Sequence, residues 1–512
     1  MHLHACNTGR GVVRFLGKTG TCGPVLKLSS RALGSMQPQR GGGRHMASTL
    51  TAPVLEAEAL EQLRGEFRGE VVEPAHSAYD ELRGVFNGMF DRRPRVILRP
   101  TGVADVIRAI GLARTSGVPL AIRSGGHSVA GFSSIDDGIV LDLRALKGIR
   151  VDPRRGTVRA QGGVNWGELD RETQAFGLAV TGGRVTTTGV VGFTTGTGSG
   201  WLERKYGFAA DNVLSADVVT ADGELVTASE DENQELLWGL KGGGGNFGVV
   251  TEIEFKLSPL HPIAYGGLAA FPPDKARELA NVWAAQSQVN ENVGWALAYI
   301  TAPPEPFVPE EWRGKRVPAV AGMIAGPHEE AEKVLAPIRA LGPIVDLFQP
   351  MPYTVVQGLL DPPNPYGRHN YWRAHNLDDL DDSVVDVWLE AAETCPSPFA
   401  AVIMLNGGGA IARVGEDETA ISGRNSPFNF HLNGMWEDPA TTEQNIAWVK
   451  GVSKALAPHI SEGISLNFAT EIGEDALKES FGAKKVERLR ALKDRYDATN
   501  FFRFNQNIAP SA

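Results

Sequence analysis

The sequence predicts an α+β protein in which one domain is interrupted by another, and three observations carry that prediction. A strand–helix–strand unit ending in a glycine turn occupies residues 95–128. From Pro259 to Pro262 the chain changes from short strands and glycine loops to longer amphipathic segments. From about Thr470 it is expected to return to the first domain through a helix covering Lys484 to Tyr496 and a tail with Asn505-Gln506-Asn507. The expected organisation is a tail over 1–50, a first domain over 51–262, an inserted α+β domain on an antiparallel sheet over 263–468, and a completing segment over 469–512.

A helix-like segment runs from Glu56 to Gly69, and Arg95 to Pro100 reads as a strand stopped by proline. Thr101 to Ser116 reads as a helix, with Thr101 free to cap it and Val103, Val106, Ile107, Ile110 and Leu112 on an apolar face. Val118 to Ile122 is a short buried strand that feeds a glycine turn, and Gly138 to Leu143 is another strand. Between Thr157 and Leu257 we expect several short strands and one helix, Trp166 to Ala175. In the inserted part, Pro273 to Val289 and Pro327 to Leu341 read as helices. Trp295 to Ile300, Ala400 to Leu405 and Phe428 to Trp436 alternate like strands.

Composition narrows the function classes. The 512 residues are 42% hydrophobic and 21% charged, a globular balance. The net charge of −10 argues against a nucleic-acid surface. No apolar run reaches the ~18–20 residues of a membrane span. Of the three cysteines, Cys6 and Cys22 lie in the tail, so the folded body has only Cys395 and no internal disulfide. That suits a reducing compartment, and we expect a cytoplasmic protein. Cys395, between Thr394 and Pro396, reads as a buried or loop thiol rather than a nucleophile. Residues 1–55 contain no Asp or Glu, while Arg10, Arg14, Lys18 and others are basic. They read as an upstream extension of the frame, with the working start at Met46, or as an organelle transit peptide. Gly41-Gly42-Gly43 weakens any amphipathic helix there and favours the first.

The chemistry sits in five blocks. Arg123-Ser124-Gly125-Gly126-His127-Ser128 is a glycine turn with a histidine at its tip. Residues 189–200 hold Gly192, Gly196 and Gly198, followed by Arg204-Lys205-Tyr206-Gly207 and Asp211-Asn212. Lys241 to Val250 includes Gly248-Val249, and the chain closes on Asn505-Gln506-Asn507. A nicotinamide-dinucleotide site is rejected: the glycines at 192–200 lack the helix and following acidic residue that the fingerprint needs. Such loops instead present backbone N–H groups to a pyrophosphate. No metal-ligating pattern is found.

In this order and spacing the blocks resemble the berberine-bridge-enzyme-like flavoproteins of the vanillyl-alcohol-oxidase superfamily, from about Tyr79 to Pro510. The resemblance implies a two-part PCMH-type FAD-binding domain and an inserted substrate domain. It places His127 on the histidine bonded to the flavin 8α-methyl carbon, which retains the cofactor and raises its potential. Arg123, Ser124, Gly125, Gly126 and Ser128 would form the pyrophosphate loop. Gly192, Gly196 and Gly198 would line the isoalloxazine or phosphates. Asp211 and Asn212 would close the site, although the pair reads equally as an Asx turn. Gly248 and Val249 would approach the adenine, and Asn505 and Asn507 the pyrimidine edge. Many relatives add a cysteine bond; Val185 holds that position here, so a single link is implied.

For catalysis, counting five residues back from Trp436 places His431 where plant relatives carry a carboxylate base, and a histidine suits that task. A Tyr-x-Asn unit of bacterial relatives reads Ser465-Leu466-Asn467, which keeps only Asn467. A Tyr-Trp-Lys unit reads Tyr371-Trp372-Arg373; Tyr371 would be a donor or base and Trp372 packing, and Arg cannot be a base. The implied function is an FAD-linked oxidase that takes a hydride from an alcohol, sugar or amine C–H and passes electrons to dioxygen, forming peroxide. The alternatives are a same-fold dehydrogenase with another acceptor and a flavin-binding protein with little turnover. The expected partners are a small-molecule substrate and dioxygen, with no nucleic acid and no membrane.

Overall fold

Strands β1 (Glu70–Val72), β2 (Val96–Arg99), β3 (Leu120–Arg123) and β4 (Ile139–Asp142) form a sheet in the order β1-β2-β4-β3, parallel from β2 to β3. The computed structural model describes residues 55–461, 463, 466–471 and 473–511; the expected tail, Cys6, Cys22 and Ser465 lie outside them. Parallel strands need a crossover, and helix Val103–Ser116 supplies it. Its Val106, Ala109 and Ile110 share a core with Val96, Leu98 and Ile139. Thr101 does not cap this helix. The Asp105 carboxylate reaches back instead and accepts from the Thr101 N–H and the Arg68 N–H, each at 3.0 Å. A carboxylate in the first turn also complements the helix dipole, which a hydroxyl does not.

A second sheet follows, with β5 (Ile149–Asp152) and β6 (Thr157–Gln161). After β7 (Leu178–Ala179) come β8 (Val213–Val219), β9 (Leu225–Ser229) and β10 (Val249–Lys256), in the antiparallel order β5-β6-β10-β8-β9. Strand β11 (Ser258–Pro259) pairs β7. Besides the expected helix, here Trp166–Gln174, the region holds helices Val190–Gly196 and Gln234–Leu240. The expectation of one helix fails at Gln234–Leu240, and at Val190–Gly196, where Gly, Val and Thr have low helix propensity. Burial of Val190, Val191 and Phe193 in the core overrides it.

The inserted domain is one antiparallel sheet of β12 (Ile263–Ala270), β13 (Val293–Thr301), β14 (Arg316–Ile324), β15 (Val345–Asp346), β16 (Gln349–Pro352), β17 (His369–Leu377), β18 (Ala401–Asn406) and β19 (Phe428–Trp436). Its order is β15-β12-β14-β13-β18-β19-β17, with β16 also on β12. Helices Ala276–Ser287, His328–Arg339, Asp382–Glu393 and Thr442–Leu456 bury Trp283, Leu335, Trp388 and Val449 against one face. The last two helices and β17 were not read from the sequence. The final helix, Glu474–Tyr496, breaks at Gly482, where φ is 73°. Buried Lys493 donates to the carbonyls of Asn246 (2.9 Å) and Phe502 (2.8 Å), which fastens the C-terminus to the glycine loop before β10. Among the described residues, no helix is long and apolar enough to cross a membrane, and no cluster of His, Cys, Asp or Glu is arranged to hold a metal.

Candidate active site

A cavity of about 1170 Å³ lies between the glycine loops and the free face of the inserted sheet. Small-molecule sites run to about 300–1,000 Å³, so this one has room for a dinucleotide and a second ligand. Strand β3 delivers Ser124–Ser128 to its wall, and the Ser124 hydroxyl donates to the Gly162 carbonyl at 2.7 Å. Gly125 and Gly189 touch backbone to backbone; a Cβ on either would strike the other, so two loops close together only as glycine.

His127 is the best-supported side chain on this wall. Its Nε2 lies 2.9 Å from Thr187 Oγ1, its ring stacks on Phe86 at 4.4 Å, and Tyr366 meets it edge-on at 5.1 Å. Tyr366 in turn donates to the Gly125 carbonyl at 2.7 Å. Burial pushes the His127 imidazole down to about 3, so it is neutral at pH 7. An aromatic wall continues from Phe86 to Trp372 (5.9 Å), Phe468 (6.2 Å) and His431 (4.4 Å). His431 points from β19 into the cavity, and burial, then the Arg184 and His375 charges, lower it to about 3. Asn467 lines the cavity too, its amide donating to the Phe193 carbonyl at 2.8 Å; a Cβ on Gly196 would displace it.

The residues present suit a flavin dinucleotide. The Cβ positions of Gly192 and Gly245, both on the wall, look into open space. Asn505 is held by its amide to the Gly245 carbonyl at 3.0 Å, while its buried Oδ1 has no partner. Backbone N–H groups and neutral amides are the donors such a ligand uses.

Comparison with known proteins agrees. Residues 94–229 match the FAD binding domain family and residues 465–509 the berberine and berberine-like family. The chain is 30% identical over 466 residues to (R)-6-hydroxynicotine oxidase of Paenarthrobacter nicotinovorans, covering 86% of this chain and 97% of that one. Its structure is similar to 6-hydroxy-D-nicotine oxidase from Arthrobacter nicotinovorans, with a TM-score of 0.78 at 27% identity over 87% and 98% of the two chains. It also shares the fold of xylooligosaccharide oxidase from Myceliophthora thermophila, with a TM-score of 0.77 at 23% identity over 89% and 100%. The chain belongs to the berberine-bridge-enzyme-like FAD-dependent oxidoreductases.

In this FAD-dependent oxidoreductase the fold brings together Ser124, Gly125, Gly126, His127, Ser128, Gly192, Gly196, Gly248, Val249, Asn505, His431 and Asn467. Other expected residues lie elsewhere. Arg123 turns behind the loop, where its guanidinium donates to the carbonyls of Leu82, Arg83 and Ser133. Gly198 makes a left-handed turn against Ala209. Asp211 is paired with buried Arg424 at 2.7 Å, and the Asn212 amide donates to the Tyr206 and Phe208 carbonyls, both structural roles. Asn507 lies off the cavity wall.

Tyr371 is on the wrong face of β17. Its hydroxyl donates to Glu471 at 2.7 Å beside the helix layer, while Trp372, read as packing, lines the cavity. Phe86 and Tyr366 went unread because no motif marks their segments, and Arg184, Asn433 and Phe468 because only the fold shows which neighbours of Val185, His431 and Asn467 face the cavity. Cys395 is half-buried, donates to the Ser397 carbonyl at 3.3 Å, and burial raises its thiol.

Proposed function

We propose that this oxidoreductase oxidises an alcohol or amine carbon, holds its FAD through one bond to His127, and is reoxidised by dioxygen. The observation that carries this reading is a single cavity with neutral His127 at one end of an aromatic wall and neutral His431 at the other. When bound, FAD would supply an acceptor for the two electrons that leave the substrate as a hydride, and dioxygen would take those two electrons with two protons to give hydrogen peroxide.

The chain's own residues position and protonate. His127 Nε2 meets Thr187 Oγ1 at 2.9 Å and Nδ1 meets Thr188 Oγ1 at 3.4 Å; with the proton on Nε2, the Nδ1 lone pair would be the point of attachment once Thr188 releases it. Among the described residues, His431 is the one base on the cavity wall besides His127, apart from exposed Glu305. Burial lowers His431 to about 3, which makes it a weaker base than a free imidazole; it would accept a hydrogen bond from the substrate hydroxyl or amine and take the proton only as the C–H hydride leaves. Val185, also on the wall, offers no thiol for a second bond. A relative whose name gives 6-hydroxynicotine as the compound oxidised supports a nitrogen- or oxygen-bearing ring substrate.

The deciding test is acid denaturation of wild type and His127→Ala, followed by absorbance of the precipitated polypeptide. Yellow colour that stays with wild type and leaves with the variant is expected. Colour lost from wild type would end the covalent part of the proposal. Peroxide release under air, absent when an artificial dye acceptor is required instead, separates the oxidase from the dehydrogenase.

A further inference from the structure

The free face of the inserted sheet is unusually bare. Register places Ala270, Ala319, Ala298, Ile403 and His431 side by side across five strands, and all line the cavity. A second cross-strand file, Leu268, Ala321, Ala296 and Leu405, runs beside it. At about 4.8 Å per strand the first file is roughly 19 Å long. The methyls of Ala270, Ala319 and Ala298 leave a shallow trough that ends at Ile403, the larger side chain beside His431. It has no hydroxyl, amide or charge until His431.

Polar atoms are gathered at one end. Trp372 and Asn433 face each other directly on β17 and β19, one pair over from His431. The buried Trp372 Nε1 and Asn433 Oδ1 have no hydrogen-bond partner, although both residues line the cavity. A donor and an acceptor on paired residues match one hydroxyl group on a ligand, which can accept from the indole N–H and donate to the amide oxygen. The charges on the wall are already committed: Arg184 to Glu203 at 3.1 Å and Arg368 to Glu437 at 2.8 Å, with Glu305 exposed at the outer edge. Both cations on the wall are therefore already matched by a carboxylate.

We propose that the substrate is a neutral, flat, apolar ring system with a single hydroxyl end, lying along the alanine trough with that end on Trp372, Asn433 and His431. This rests on the oxidoreductase site described above and names its substrate class. A sugar presents a hydroxyl at nearly every carbon, and burying these against alanine would leave them unpaired. An apolar ring loses nothing by leaving water there.

The test uses the yellow holoprotein and follows the shift of its visible flavin band on titration. The probes are 9-fluorenol, its deoxy parent fluorene, cellobiose and benzylamine. 9-Fluorenol is expected to bind most tightly, and cellobiose not at all. Trp372→Phe keeps the ring and removes the N–H; it should weaken 9-fluorenol about tenfold and leave fluorene unchanged. Ala298→Leu, which fills the trough, should weaken both. Tighter binding of cellobiose or benzylamine than of 9-fluorenol, with flavin present, overturns the proposal and leaves the flavin site standing. Equal effects of Trp372→Phe on both ring probes overturn the hydrogen-bonding part. A protein without bound flavin overturns the site reading beneath it.

Discussion

At the scale of single residues, burial sets the charge of this site. His431 is held at about 3 and His375, by burial and then the Arg373 charge, at about 4, against an ordinary 6.5. Both are neutral in the fold but take a proton in the unfolded chain below 6.5. The unfolded state therefore binds more protons, and stability falls as pH drops from about 6.5 toward 3. Urea unfolding between pH 7 and 4 should show a steeper loss in wild type than in His431→Leu; parallel slopes would contradict this. Single residues also show where sequence reading stopped. Tyr371 and Trp372 carry the same motif, yet a strand sends neighbours to opposite faces, so one reaches the cavity and the other reaches Glu471. That alternation was available in the sequence once β17 was recognised as a strand.

At the scale of elements, the crossover helix after β2 shows how a local rule is satisfied by a different group. Burial alone would raise the Asp105 carboxyl, but the Thr101 and Arg68 amides that it accepts from outweigh this and hold it below 3.8. Its contribution is present above about pH 4 and is lost as pH falls further, because the unfolded chain then takes a proton on this carboxylate more readily than the fold does. Asp105→Ala leaves the Thr101 and Arg68 amides without their acceptor and should cost about 1–3 kcal/mol by urea unfolding at pH 7. The same variant compared at pH 3 should differ from wild type much less. Periodicity made this helix, β2, β3, β4 and β19 legible. The helix at Val190–Gly196 was not, since its residues favour other conformations and only packing selects the helix.

At the scale of the whole molecule, buried polar ties connect distant parts of the chain. Arg424, 1% exposed, pairs with Asp211, 7% exposed, across 213 residues of sequence. Arg424→Met strands the Asp211 charge and should destabilise by about 3–5 kcal/mol, whereas the Arg424→Met, Asp211→Leu double variant should recover most of that loss. Thermal unfolding of the set checks it; a double variant as weak as the single one would place the effect in packing instead. Lys493 does the same for the C-terminus, and through it for Asn505 on the cavity wall.

The amino-acid sequence by itself determined the α+β class, the glycine turn bearing His127, the strand bearing His431 and the family. Each of these depends on local periodicity or on spacing within a short segment. The tertiary structure alone decided that Arg123, Asp211 and Asn212 support the loops from behind. It also decided that Phe86, Trp372, Phe468 and Asn433 complete the cavity, and that rows of alanine form its floor. Those facts depend on cross-strand register and on which face each side chain takes. The aromatic wall joins Phe86 to Trp372, hundreds of positions apart, and no local pattern in the chain encodes such a contact.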